Sequence, residues 1–124
     1  MDESARQLEL VRLTFRNGLR NCVHWQISVL ARVSRDPQLS AVGAREVIDR
    51  LFDWVNFVGG VRPAGVHGDD SALPYDYLFE VVVENIDGIL GGLYVKLGLK
   101  STDEDFPEVT IVSCHVATFP RGSR

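Results

Sequence analysis

Two short stretches hold the side chains with the most chemistry to offer: Tyr94 and Lys96 in GLYVKLGLK, and Ser113 and His115 in EVTIVSCHVATF. An imidazole exchanges protons near neutral pH, a phenol can donate one, and an ammonium neutralises developing negative charge. In an extended strand alternate side chains share a face, so Tyr94 stands beside Lys96, and Ser113 beside His115. Whether the two pairs meet depends on the last strand, which is apolar on both parities: Val109 and Ile111 against Val112, Cys114 and Val116. If Val112, Cys114 and Val116 point to the core, His115 joins Tyr94 and Lys96 on one surface. The other arrangement makes His115 a core or edge histidine and leaves Tyr94 and Lys96 as a solvated face, lysine being a common guard of sheet edges.

Further polar residues fall on the same side of the predicted strands. YDYLFEVVVENI places Asp76, Glu80 and Glu84 away from the core, with Leu78 and Val82 between them. An earlier alternating stretch adds His24, Gln26 and Ser28. The three histidines, His24, His67 and His115, lack metal-ligand spacing, so neither a metal nor a cofactor is expected. Gly59-Gly60 and Gly91-Gly92 carry no phosphate-loop pattern, and no nucleophile elbow or Cys–His signature is present.

The elements that position these residues are read from periodicity. Residues 4–17 are predicted helical, with Ser4 as cap, Leu8, Val11 and Phe15 on one face, and Asn17-Gly18 as the stop. From Val23 to Val33 apolar residues alternate with polar ones, which predicts a half-buried strand; a helix through Trp25, Val29 and Val33 is the competing reading. A helix over 41–57 follows, capped by Ser40, with Val47, Ile48, Leu51, Phe52 and Val55 as its apolar stripe. A long loop over 61–74 contains Arg62 and the pair Asp69-Asp70. Three strands then form a meander between Tyr75 and Phe119; Tyr75, Tyr77, Phe79, Val81 and Val83 are the inward set of the first. The expected fold is one α+β domain over 1–124, ordered α-β-α-β-β-β, with an antiparallel sheet and helices on one face. The end of the chain, 119–124, is expected to fray.

With 124 residues, 45 % hydrophobic and 24 % charged, the chain can bury a core without metal or disulfide staples. Its net charge of −4 is uneven. Residues 1–62 hold nine Arg against seven Asp and Glu, whereas residues 63–124 hold four Lys and Arg against ten Asp and Glu. That balance argues against an indiscriminate grip on nucleic acid but leaves local RNA contacts by arginine open. Cys22 and Cys114 sit in apolar patterns, as free thiols of a reducing compartment do. MDESARQLEL has no leader character and no apolar stretch is of membrane-spanning length, so a cytoplasmic location is expected, with no membrane partner.

GLYVKLGL followed by VTIVSCH resembles the closing strand pair of MqsR-type mRNA interferases, within the RelE-like toxin ribonucleases. In that family a G-x-Y-h-K-h segment, h being apolar, precedes a strand ending I-V-S-x-K. Gly92, Tyr94 and Lys96 match the first part and Ile111, Val112 and Ser113 the second, over roughly the last 45 residues. His115 stands where the family has lysine, and the family's other active-site Lys and Gln have no counterpart here. The resemblance implies a metal-independent endoribonuclease with a cognate antitoxin, in which the RNA 2′-hydroxyl attacks the adjacent phosphate. His115 and Tyr94 would then handle protons and Lys96 with Arg62 hold phosphate, while His24 and Gln26 contact RNA.

Two other classes remain. A small acidic protein can occupy the basic site of a protein partner, as antitoxins, immunity proteins and phage inhibitors do; Asp69, Asp70, Asp103, Glu104 and Asp105 supply the charge, with Glu80 and Glu84. A half-open sheet could instead cup an apolar ligand against Trp25, Tyr75, Tyr77 and Phe79. A strand with Tyr94 and Lys96 outward also suits half of a homodimer interface.

Overall fold

In the computed structural model, which describes residues 2–65, 73–89 and 91–117, the first helix, α1, spans Glu3–Arg16. Asp2 rather than Ser4 caps it, its carboxylate accepting from the Ala5 N–H at 2.8 Å. Leu10, Val11, Thr14 and Phe15 form its buried face, and Gly18, at φ 65°, turns the chain out of the helix.

The predicted strand over Val23–Val33 is real only at its start. Strand β1 covers Val23–Trp25, and the chain then enters helix α2, Ile27–Arg35. Neighbouring structure explains the change. β1 runs parallel to the last strand with Trp25 opposite Ile111, and the next residue of that strand, Val112, is skipped by the antiparallel ladder on its other side. After the Gln26 N–H donates to Ile111 O at 3.1 Å, the template for pairing ends. The residues beyond use their second periodicity: Val29 and Val33, one turn apart, are buried, and Ile27, inward in the strand reading, is 85 % exposed. Gln26 and Ser28 are therefore not sheet residues.

Helix α3, Pro37–Val42, is capped by Asp36, whose Oδ1 accepts from the N–H groups of Gln38 and Leu39 at 2.9 and 3.0 Å. Gly43, at φ 93°, separates it from helix α4, Ala44–Phe57. The expected cap Ser40 thus lies inside α3, and α4 starts later than predicted. Its stripe is as expected, with Val47, Leu51 and Phe52 buried and Ile48 and Val55 packed against them.

The sheet has five strands in the order β1-β5-β4-β3-β2. Its members are β2 (Arg62–Ala64), β3 (Leu78–Val83), β4 (Leu93–Ser101) and β5 (Glu108–Val116), besides β1. β3, β4 and β5 form the predicted antiparallel meander. β2 is a short edge strand inside what was expected to be loop, and β1 pairs in parallel, so the sheet is mixed. Phe79, Val81 and Val83 of β3, Val95 and Leu97 of β4 and Ile111 of β5 share one core with Val11, Phe15, Val33, Val47, Leu51 and Phe52. This is a two-layer α+β fold with the helices on one side of the sheet. Among the described residues no helix is long and apolar enough to cross a membrane.

Phe15 and Phe52 lock α1 against α4, their ring centroids 4.7 Å apart and tilted by 58°. Arg20 also lies over Phe52, its guanidinium carbon 4.8 Å from the ring centroid. Phe52 is 2 % exposed, so Phe52→Ala opens a cavity between the two helices. Chemical denaturation of that variant is expected to show a loss of about 3–5 kcal/mol; a loss below about 0.5 kcal/mol, the range of ordinary surface substitutions, means the helices do not meet here.

Candidate functional site

The outer face of the sheet takes its form from an irregularity in β5. Leu97 pairs with Ile111 and Lys96 with Ser113, so Val112 is an extra residue in β5. Before it the odd residues Val109 and Ile111 face the core; after it the even residue Cys114 does, with Val116 packed alongside. The two apolar parities of this strand are one core-facing row with a phase change in it. His115 consequently points outward, is exposed, and pairs across the ladder with Tyr94.

That pairing brings the sequence-predicted set together. The rings of Tyr94 and His115 stack with centroids 5.1 Å apart and an interplanar angle of 28°. Lys96 Nζ stands 5.9 Å from the Tyr94 ring centroid. Glu80, opposite Lys96 on β3, receives two hydrogen bonds: Arg62 Nε donates at 2.6 Å and the Tyr94 hydroxyl at 3.0 Å. A carboxylate thus fixes the phenol and an arginine together, while Ser113 borders Lys96 on the next strand. Lys96 is only 8 % exposed and its Nζ approaches Gly65 O at 3.5 Å, so its ammonium is held beneath the face rather than waving above it. Sequence reasoning placed Glu80 on this face but missed its pivotal part. The available signal was parity: Glu80 and Tyr94 lie on the outward side of adjacent strands, where a diagonal contact is within reach.

The remaining candidates fall elsewhere. His24 faces outward on β1, its Nε2 4.0 Å from Glu108 Oε1. Gln26 precedes α2 at the N-cap position without a side-chain capping bond. Both belong to a groove at the β1 corner of the sheet rather than to the His115 cluster. Asp103, Glu104 and Asp105 are exposed in the connection between β4 and β5, at the far end of those strands from His115. Asp103 Oδ1 accepts from the N–H groups of Asp105 and Phe106 at 2.8 and 3.3 Å, so it builds the turn. Asp69, Asp70 and His67 lie outside the described residues. Of the proposed apolar-ligand set, Phe79 is fully buried in the core, whereas Tyr75 is not an inward strand residue at all: it lies on the outer face against Gly98. Among the described residues no group of three or more His, Cys, Asp and Glu gathers to hold a metal.

Cys114, next to His115 in sequence, takes no part in the cluster because it faces the core. Burial, with a smaller contribution from the Asp36 carboxylate, pushes its thiol up to about 12 from 9.0. Under native conditions at pH 8 a thiol reagent is expected to modify Cys22, which is partly exposed, and to reach Cys114 only on unfolding. A raised thiol pKa means that the folded protein keeps a proton that the unfolded chain releases above pH 9. This contribution to stability is complete below pH 9 and is lost as pH rises towards 12, which Cys114→Ser or Cys114→Ala should flatten in a pH series of unfolding curves. Rapid native modification of Cys114 at pH 8 contradicts the outward placement of His115, since both follow from the same phase change.

No protein-family model, no curated protein and no solved structure matches the chain.

Proposed function

We propose that the outer sheet face cleaves RNA by attack of a 2′-hydroxyl on the adjacent phosphate, without a metal ion. The stacked pair Tyr94–His115, 5.1 Å apart beside Lys96 and Arg62, is the observation that carries this reading. His115 accepts the 2′-hydroxyl proton as the O2′–P bond forms. The P–O5′ bond breaks on the opposite side of phosphorus, and the Tyr94 phenol gives its proton to the departing O5′. Lys96 and Arg62 oppose the charge gathering on the phosphoryl oxygens. Glu80, holding both Tyr94 and Arg62, positions the acid against the phosphate. The products are a 2′,3′-cyclic phosphate and a free 5′-hydroxyl, and the proton taken by His115 returns to Tyr94 through solvent. Acid, base and cation all come from side chains, and the His115 imidazole is exposed to solvent, where substrate can reach it.

A second reading has its own observation. Phe106, 74 % exposed, stands beside Asp103, Glu104 and Asp105 at the tip of the β4–β5 hairpin, an aromatic anchor ringed by carboxylates that suits a basic protein partner. On this reading the protein is an inhibitor, and the His115 cluster is a solvated surface.

Incubation of the purified protein with RNA in the presence of a chelator separates the two. The ribonuclease reading expects fragments with cyclic-phosphate ends, no cleavage where the attacking nucleotide is 2′-deoxy, and a rate lowered about 10²–10⁴-fold by His115→Ala. Intact RNA, or an alanine variant as active as the parent, removes it. Co-purification of a basic protein that Phe106→Ala and Glu104→Ala release would establish the inhibitor instead.

A further inference from the structure

A groove of about 730 Å³ opens on the outer face at the corner where β1 runs into α2. His24, Trp25, Gln26, Tyr75, Lys100 and Thr110 are among its walls. Two features distinguish it from an ordinary crease. The first is a second irregularity in the β4–β5 ladder: Leu99 pairs with Val109 and Ser101 with Glu108, so Lys100 is the residue passed over. Such a bulge re-aims a side chain, and Lys100 is exposed at the groove. The second is the Tyr75 ring, which lies so close to the Gly98 backbone that a Cβ there would come within 2.8 Å of it. Position 98 must therefore be glycine for the ring to rest on the sheet.

We infer that this groove is a subsite for single-stranded nucleic acid, taking a base against Tyr75 and a phosphate against Lys100 and His24. The inference rests on the reading of the outer face as an RNA-cleaving surface and names the part of the substrate that lies beyond the reacting phosphate. The sheet lays out the path. Tyr94, Lys96, Gly98 and Lys100 follow one another along β4, and Tyr75 covers Gly98 between the two ends. Six residues of strand from Tyr94 to Lys100 span about 20 Å. Nucleotides stacked as in one strand of a duplex advance about 3.4 Å each, so about six connect the His115 cluster to the groove, fewer if the strand is extended. Aromatic faces accept any base, which makes the groove a length-measuring rather than a sequence-reading element. Glu108 stands within the groove, 4.0 Å from His24, and opposes an incoming phosphate.

Fluorescence anisotropy with end-labelled oligodeoxyribonucleotides of two to about ten nucleotides tests this, since 2′-deoxy strands bind without being cleaved. Affinity is expected to climb with length up to about six nucleotides and then level off. Tyr75→Ala should weaken a six-nucleotide strand about fivefold or more. Lys100→Ala should lower the slope of log affinity against log salt by about 0.7, while Glu108→Gln tightens binding. Lys100 is exposed and Glu108 half-exposed, so these two variants keep the reading independent of any folding defect in Tyr75→Ala. Affinity independent of length, or unchanged by Lys100→Ala and Glu108→Gln, overturns the subsite. The two proposals fail separately. Groove-dependent binding by a protein that leaves RNA intact keeps the subsite and removes the catalysis; RNA cleavage that groove variants leave unaltered does the reverse.

Discussion

One extra residue in β5 governs both faces of the sheet. The side-chain period of a strand is two, so a single insertion exchanges inside and outside for everything after it. Val112 is that insertion, lying between the pairs Leu97–Ile111 and Lys96–Ser113. Without it Cys114 and Val116 would turn to solvent and His115 would enter a core of valines, leucines and phenylalanines, where an imidazole must find a partner or lose its charge. The same irregularity ends the pairing of β1, because the parallel ladder from Val23 to Trp25 meets it at Ile111. The chain therefore leaves the sheet at Gln26 and becomes a helix that covers the core with Val29 and Val33. Core closure, the length of β1 and the direction of His115 thus share one cause.

The two faces are held by different physics. On the helix side the aromatic contact of Phe15 with Phe52 and the aliphatic rows of four helices exclude water. On the outer side polar groups are tied to one another. Glu80 collects Arg62 and Tyr94, Tyr94 stacks on His115, and Lys96 sits low among them near the Gly65 carbonyl. A nearly buried ammonium costs desolvation, and the Gly65 carbonyl together with the Tyr94 ring offsets part of it. The surface-exposed part of this network, Arg62 to Glu80, adds little to stability by itself. Its value is geometric, since it limits where the Tyr94 hydroxyl can point.

The second bulge, at Lys100, gives the β4–β5 pair a matching irregularity near its other end. The two lie on either side of Gly98, where the absence of a side chain admits the Tyr75 ring. A regular ladder of this length would present an even row of alternating residues. This one instead offers a cluster at one end, an aromatic cover in the middle and a lysine-lined groove at the other.

Local pattern settled much of this in advance. Apolar stripes at helical spacing specified α1 and α4, alternation specified β4, and an apolar run whose odd positions are the bulkier inward set specified β3. The α+β class followed, as did the shared face of Tyr94, Lys96 and Glu80. Ambiguity arose where a segment carried two periodicities. Val23–Val33 satisfies both strand and helix, and β5 is apolar on both parities; neither conflict can be resolved within the segment. Pairing partners resolved them, through the point where β5 stops serving as a template for β1 and the register that β4 imposes on β5. Long-range contacts also placed Tyr75 on Gly98 and joined Arg62, 18 residues away in sequence, to Glu80. By itself the sequence determined which side chains are available and which elements carry them. Only the tertiary structure decided which face His115 occupies, because a bulge is a property of two strands and is not written in either one.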